Sequence, residues 1–455
     1  MLKGKKRIHL IGIGGSSMNG LAQILKSRGY EVTGSDRDSS PFTQRLIELG
    51  IPVFIGHEAS QLGTAEAVIY SAAIKENNVE RIEASKRNLV QLERSVALGE
   101  IAEEYSEVVG IAGCHGKTTI TSMLARIAQL GGLEATVHVG GDTDFLSGGT
   151  HIGSSSLLIT EACEYVDSFL TLSPTIALIN NIDNDHLDYF RDLDAITDAF
   201  RKFLAKLPQN GLFIGCYDDL RVRALLNNPP KQLKTKSYGL SEGADYIAKD
   251  ISFKDDGSPV FKVVHKGEPL GRLELNIPGT HNIINALGAL VVSLSLNERF
   301  EDIALGLLHY TNAKRRFEFY GKRNGVSYYH DFAHHPAEIA AVLEGASRVK
   351  HNKLFCVFQC NSYTRAKTLF TKNVTCFKDA DFVLVPDIYP GREIDDGSVH
   401  AKDMVYAINE QQANKARYIA TFEEIRACLD NEAKSGDMVI TLGSGDVYKQ
   451  TRKLL

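Results

Sequence analysis

The residues best suited to chemistry gather in one stretch, Val108–Met123, VVGIAGCHGKTTITSM. Gly113, Cys114, His115 and Gly116 lie between an apolar run (Val108, Val109, Ile111) and the triplet Lys117, Thr118 and Thr119. Small residues let successive backbone N–H groups face an anion, and a helix starting at that point adds partial positive charge. Lys117 can reach the outer phosphates of a nucleotide, and the Thr118 hydroxyl can hold Mg²⁺. The strict G-x-x-x-x-G-K-T spacing fails by one place, because Ile111 stands where the first glycine belongs. Downstream, Glu164, Asp183, Asp185, His186 and Asp188 form a set of hard-metal ligands. An EF-hand is excluded, since Asp188 occupies the place where that loop needs glycine. The bland alternative is a solvated acidic turn before a helix over 192–205, whose start Asp192 and Asp194 would favour.

A second glycine turn, Gly12-Ile13-Gly14-Gly15-Ser16-Ser17, opens the chain, and Asp36 follows at the end of the next apolar run. A turn for pyrophosphate and a carboxylate for a ribose hydroxyl would make a dinucleotide-type unit. Ser17 stands in place of the third glycine of G-x-G-x-x-G, so any nucleotide diphosphate satisfies the same physics. Asn282 and Asn285, at i,i+3 on the opening turn of GTHNIINALGALVVSL, are either caps or ligand contacts. Adjacent His334 and His335 point apart on a turn, which favours phosphate or substrate contact over a shared metal ion.

These groups must be held by strands and helices, and the spacing supplies them. Ile8–Ile13 reads as a strand, with Met18, Leu21, Ala22 and Leu25 on one helical face and Ser16 or Ser17 as N-cap. Glu31–Gly34 and Ala67–Ser71 continue a βα rhythm. Around the phosphate-type loop the order is strand, loop, helix, with Ile120, Met123, Leu124, Ile127 and Ala128 at helical spacing. SSLLITEAC and TIALINN are the next strands. ADYIAKDISF, PVFKVVHKG and LGRLELNIPG alternate about Asp256-Gly257 and Lys266-Gly267, which predicts an antiparallel appendage. VSYYHD ends at Asp331, Pro336 opens a helix, and LFCVFQC, DFVLVPDIY and MVITLGSGD give three more strands. The expected fold class is α/β in three domains. Residues 1–107 would be Rossmann-like, 108–312 a P-loop-ATPase-like parallel sheet with the antiparallel appendage, and 313–455 Rossmann-like again.

With 455 residues the chain is too long for one core. A net charge of −5 argues against nucleic acid as the main partner. Seven scattered cysteines lack zinc-type pairs, and the Cys356/Cys360 pair sits in an apolar run, so a reduced, cytoplasmic chain is expected. The basic-then-apolar start is too short for a signal peptide, and no segment reaches the ~18 apolar residues of a membrane span. Nothing resembles a kinase catalytic loop or an activated Ser or Cys nucleophile. Residue chemistry alone reaches an Mg²⁺-dependent nucleotide enzyme, with Lys117, Mg²⁺ and Arg316 neutralising charge in phosphoryl transfer.

The blocks IGIGGSSMNGLA, GSD, YSAAI, GIAGCHGKTT, TEACEYVDSFL, NIDNDHLD, GTHNIINALGA, RRFEFYG, DFAHHPAEI, DIYPGREID and TLGSGDVY run in order over essentially the whole chain. Together they resemble the ATP-dependent Mur ligase family of peptidoglycan synthesis. The resemblance implies that Gly12, Gly14, Gly15, Ser16, Asp36 and Ser71 bind the UDP part of a sugar nucleotide. It implies that Gly113 through Thr119 bind ATP phosphates and that Thr118, Glu164 and His186 hold or support Mg²⁺. Asn282 and Asn285 would meet the nucleotide, with Arg316 and Asp331 joining from the third domain. Lys117, Glu164, His186, Arg316 and Asp331 would form the catalytic set, and His334 and Arg365 would take the amino acid. The implied reaction phosphorylates the lactyl carboxylate of UDP-N-acetylmuramate and lets the amine of L-alanine attack the acyl phosphate. A monomer or weak homodimer is expected. The chain departs from the family pattern at Cys114, Phe332, Cys360, Asn361 and Ser362. A recycled peptide or another amino acid as substrate, or a nucleotide-binding paralogue with weakened catalysis, therefore stays open.

Overall fold

The computed structural model describes residues 1–146, 149–186, 189–391 and 393–455. Five short apolar runs build the first sheet: β1 Arg7–Ile11, β2 Glu31–Asp36, β3 Val53–Ile55, β4 Ala67–Tyr70 and β5 Val90–Glu93. Their order is β3-β2-β1-β4-β5, and every neighbour is parallel. Ile8, Leu10 and Ile11 are all buried, as expected of a parallel strand covered on both faces. The strand order reverses between β1 and β4, which opens a crevice at their carboxyl ends. Gly12 and Ser71 sit there, immediately beyond those two strands.

The central sheet contains β6 Glu107–Ala112, β7 Thr136–His138, β8 Thr150–His151, β9 Leu157–Glu161, β10 Ile176–Ile179, β11 Leu212–Cys216, β12 Lys234–Gly239, β13 Tyr246–Phe253, β14 Pro259–His265 and β15 Glu268–Glu274. They run in the order β15-β14-β13-β12-β11-β10-β6-β9-β7-β8. From β7 to β12 the sheet is parallel, with β9 and β10 on either side of β6. The chain reverses direction across the sheet there, so the loops after β6, β9 and β10 meet at a second switch point. β14 and β15 are joined by Lys266-Gly267, both with positive φ, as a tight hairpin turn requires.

The third sheet holds β16 Glu318–Arg323, β17 Val326–Asp331, β18 Leu354–Phe358, β19 Phe382–Val385, β20 Ala416–Tyr418 and β21 Met438–Leu442, in the order β16-β17-β21-β18-β19-β20. β16 pairs antiparallel with β17, and the other neighbouring strands pair in parallel. β21 returns between β17 and β18, placing the carboxyl ends of all three together. Two apolar clusters, one containing Cys356, Phe358 and Ile440 and one containing Phe355, Val357 and Val439, cover the two faces.

Contacts divide the chain into two compact units. The first is Met1–Lys249 with Lys262–Leu273 and Ile284–Thr311; the second is Asp250–Phe261 with Glu274–Ile283 and Asn312–Leu455. Within the first, a continuous core joins the N-terminal sheet (Ile8, Leu10) to the central one (Leu158, Ala177, Phe213). All seven cysteines are free thiols. No helix among the described residues is long and apolar enough to cross a membrane.

One local expectation changes. Neither Ser16 nor Ser17 caps the first helix, Ser16–Ser27; Gly15 takes that place, without a side-chain cap. The β1 strand ends at Ile11, so the turn closes earlier and both serines are already helical. Their hydroxyls turn instead to the central sheet, where Ser16 donates to the Gly140 carbonyl at 2.6 Å and Ser17 meets His138 Nε2 at 2.9 Å.

Candidate active site

The loop after β6 is built by two asparagines at the end of β10. Asn181 Oδ1 accepts the His115 N–H at 2.8 Å, and the amides of Asn181 and Asn180 donate to the His115 carbonyl at 3.0 and 3.1 Å. Tyr238 donates to Asn180 Oδ1 at 2.8 Å, fixing that amide's orientation. Gly113 and Gly116 take φ of +134° and +86°, backbone that a side chain resists. At Gly116 a Cβ would also lie 2.6 Å from Asn180 Nδ2 and from Asn285 Oδ1. The helix Lys117–Gly131 begins directly afterwards, so its free N–H groups face the loop. The sequence of TIALINN predicts only a strand. The signal was a polar Asn-Asn pair directly after four buried strand residues, at the end of a strand beside β6.

Lys117 folds back into this loop. Its ammonium donates to the Gly113 carbonyl, to the Cys114 carbonyl at 3.2 Å, and to Glu164 at 2.8 and 3.1 Å. The lysine side chain is 13% exposed and that of Glu164 1%. Burial alone would drive the ammonium's pKa down, but the Glu164 carboxylate outweighs it and holds the pKa above the ordinary lysine value. Cys114 is buried, and burial pushes its thiol well above the usual range, so it packs the loop as a neutral group.

Two acidic clusters flank the loop. Glu161, the last residue of β9, accepts from Thr118 Oγ1 at 3.2 Å and from the Gly140 N–H at 2.6 Å. Glu164, Asp185 and His186 each offer a donor atom, all within 4.8 Å of one another. His186 Nε2 lies 3.8 Å from both carboxylates, with the Tyr165 ring 4.5 Å from the imidazole. Val166, Asp167 and His186 adopt φ of +54°, +55° and +54°, so the segments carrying this cluster store backbone strain. Thr118 thus stands with Glu161, while Glu164 and His186 stand with Asp185. Asp183 contacts His115 at 3.4 Å, and Asp188 lies outside the described residues. Asp192 caps the helix Leu193–Ala205 by accepting from Ala195 N–H at 2.9 Å.

At the first switch point Gly12 has φ +80°, and a Cβ there would meet Ser71 Cβ at 3.2 Å. The Gly14 N–H donates to Asp36 Oδ2 at 2.8 Å, so the turn and the carboxylate are one assembly. Asn285 accepts from Asn180 at 3.2 Å.

In the second unit Asn282 donates to the Pro278 carbonyl at 2.7 Å. Asp331 ends β17 and accepts the N–H groups of Phe317 and Ala333, each at 2.7 Å. Burial raises its pKa to about 6, against the opposing pull of Arg316 and these two bonds. The Arg316 guanidinium lies 4.0 Å from Glu338 and 5.4 Å from the Phe332 ring centre. His334 Nδ1 contacts the Phe332 carbonyl at 3.1 Å, whereas His335 caps the helix Pro336–Arg348. Beyond β18, Ser362 has φ +74° and caps the short helix carrying Arg365, whose Nη1 donates to Asn361 O at 3.4 Å. Asn361 in turn donates to Ser444 Oγ, at the end of β21, at 2.8 Å.

Comparison with known proteins bears on all three sheets. Residues 7–106 match the model of the Mur ligase family, catalytic domain; 111–293 match the Mur ligase middle domain; and 315–445 match the Mur ligase, glutamate ligase domain. The chain is 41% identical to a UDP-N-acetylmuramate–L-alanine ligase of Acetivibrio thermocellus, over 98% of this chain and 94% of that one. It is 43% identical to a protein of the same name from Clostridium botulinum strain Alaska E43, over 99% and 97%. Among solved structures, UDP-N-acetylmuramate-alanine ligase from Thermotoga maritima superposes with a TM-score of 0.80 at 24% identity, covering 98% of each chain. A murein peptide ligase from Psychrobacter arcticus gives 0.70 at 23% identity, covering 99% and 98%.

Proposed function

The chain belongs to the Mur ligase family, and from that premise we propose that it joins L-alanine to the lactyl carboxylate of UDP-N-acetylmuramate at the expense of ATP. The observation carrying this reading is the buried Lys117–Glu164 pair inside a preshaped phosphate loop, with Asp185 and His186 clustered on the same Glu164 and Glu161 on Thr118. A carboxylate attacking a phosphoryl group brings two anions together, and a desolvated ammonium is the group that offsets their repulsion. The lactyl oxygen takes the γ-phosphoryl group, releasing ADP and leaving an acyl phosphate. The amine of L-alanine then attacks the acyl carbon, phosphate departs and the amide remains.

Glu164, Asp185 and His186 offer two carboxylates and an imidazole, a donor set that suits Mg²⁺ or Mn²⁺, and Glu161 with Thr118 offers a second oxygen-rich position. A bound divalent ion there would supply charge neutralisation at the phosphates. Lys117 holds its charge at the loop and Gly113–Gly116 present the cradle. On the family pattern we assign Asn282, Asn285, Arg316 and Asp331 to ATP, Gly12–Ser16, Asp36 and Ser71 to the UDP group, and His334 and Arg365 to the amino acid. We place the reaction in the cytoplasm, in peptidoglycan precursor synthesis, with functional segments 1–107, 108–312 and 313–455.

The test is phosphate release from ATP and UDP-N-acetylmuramate with single amino acids, and with an L-alanyl peptide, added separately. Release dependent on L-alanine is expected. Dependence on the peptide alone, or no release with any acceptor, would overturn the reading.

A further inference from the structure

A cavity of about 230 Å³ lies between the first helix and the central sheet, lined by Ser17, Arg94, His138, Gly140, Glu161 and Cys163 among others. Arg94 opens the helix Arg94–Ala102 directly after β5. Its Nη1 donates to Ser17 Oγ at 3.1 Å, and among the described residues the guanidinium forms no ion pair. The neighbouring carboxylates have other work: Glu93 accepts the Ser95 N–H at 2.7 Å, and Glu161 holds Thr118 and Gly140. His138 joins the same network, with Nε2 at 2.9 Å from Ser17 Oγ and Nδ1 at 3.4 Å from Thr150 Oγ1. Burial first, and then the charge of Arg94, push this imidazole's pKa down to about 3, so it stays neutral. The cavity therefore presents a cation with most of its fork of donors uncommitted.

The two ends of the cavity say what enters it. Ser17 belongs to the helix that follows directly on the Gly12–Gly15 turn, and Glu161 bonds Thr118 of the phosphate loop. A sugar nucleotide with its diphosphate at the first and its reacting carboxylate bound for the second must cross this space. We infer that Arg94 binds the lactyl carboxylate of the acceptor sugar nucleotide, an inference that rests on the reaction proposed above. A planar guanidinium pairs with a carboxylate through two parallel bonds and holds it against the repulsion of the γ-phosphoryl group. The neutral Ser17–His138–Thr150 chain keeps the guanidinium in place without competing for it.

The diphosphate of the same ligand is the other anion within Arg94's chemistry, and the experiment separates the two. Calorimetric titration of the full-length chain compares UDP-N-acetylmuramate with UDP-N-acetylglucosamine, which has the same nucleotide and sugar but no lactyl carboxylate. Arg94→Ala is expected to weaken the first by at least tenfold and to leave the second within twofold, with KM for ATP unchanged. Arg94→Lys keeps the charge without the fork and is expected to fall between wild type and Arg94→Ala. It also serves as the variant of record if Arg94→Ala fails to fold. Equal losses for both ligands would move Arg94 to the diphosphate and overturn the inference, as would no loss for either. Wild-type chain that binds no UDP-N-acetylmuramate would instead remove the proposed function, and this assignment with it.

Discussion

Replacing Lys117 with methionine should expose two separable losses. The substitution keeps the apolar stem but leaves the Glu164 carboxylate, 1% exposed, without the ammonium 2.8 Å away. Removing one partner of a buried pair costs about 3–5 kcal/mol of stability, because the remaining charge is stranded. Since Lys117 is 13% exposed, the lower end of that range applies, roughly 3 kcal/mol. Turnover should fall independently, by about 10²–10³, or roughly 3–4 kcal/mol of lost transition-state stabilisation. The double variant Lys117→Met/Glu164→Gln distinguishes the two, since a neutral amide no longer strands a charge. Urea unfolding should show most of the stability regained, while phosphate release stays at the single-variant level or below. Wild-type turnover in Lys117→Met would refute the role of the lysine. A single variant as stable as wild type would refute the claim that the pair is buried and coupled.

Three further outcomes follow from other parts of the site. Glu164→Ala and His186→Ala should each raise the Mg²⁺ concentration for half-maximal activity severalfold in a metal titration; unchanged dependence in both would return this cluster to a solvated turn. Asp331 has a folded pKa of about 6 against an ordinary value of 3.8, so between those pH values the folded chain keeps a proton that the unfolded chain has lost. Its contribution to stability therefore falls as pH rises from about 4 to about 6, by roughly 3 kcal/mol at about 1.4 kcal/mol per pH unit. In Asp331→Asn that slope should be missing from the unfolding free energy, and a slope identical to wild type would contradict the burial argument. Arg365→Ala should raise KM for L-alanine at least tenfold while KM for ATP holds, and L-serine and glycine should be used by the wild type within the 10–200-fold or so that one methyl contact can discriminate. A strict L-alanine preference untouched by the mutation would dismiss both the Arg365 assignment and the expected use of L-serine and glycine.

What could be read in advance was local. Gly116-Lys117-Thr118 after a buried strand announced the loop and its helix, Asp192 and Pro336 announced helix starts, and Lys266-Gly267 announced a hairpin. Each depends on neighbours a few residues away. Partnerships across strands were not legible: that Thr118 goes to Glu161, or that Asn180 and Asn181 hold His115, depends on β9 and β10 flanking β6. The caps of the first helix show the same limit, since Ser16 and Ser17 satisfy any local rule for an N-cap yet are drawn to Gly140 and His138. Arg94 carries no motif at all; only the cavity around it, and a guanidinium without an ion pair among the described residues, single it out.

Asn181 engages both the N–H and the carbonyl of His115, much as a neighbouring strand would. The phosphate cradle is therefore ordered during folding, and nucleotide arrival need not organise it. A cradle made this way grips the phosphates that ATP and ADP share with equal firmness. On the function proposed above, retention of substrate over product must then come from the γ-phosphate's own contacts, to which that proposal assigns Lys117. Once that group has left, the loop holds the spent nucleotide as firmly as it held the same phosphates of ATP. ADP should accordingly compete with ATP for the same loop, and the ratio of its inhibition constant to KM for ATP measures what the γ-phosphate's own contacts add.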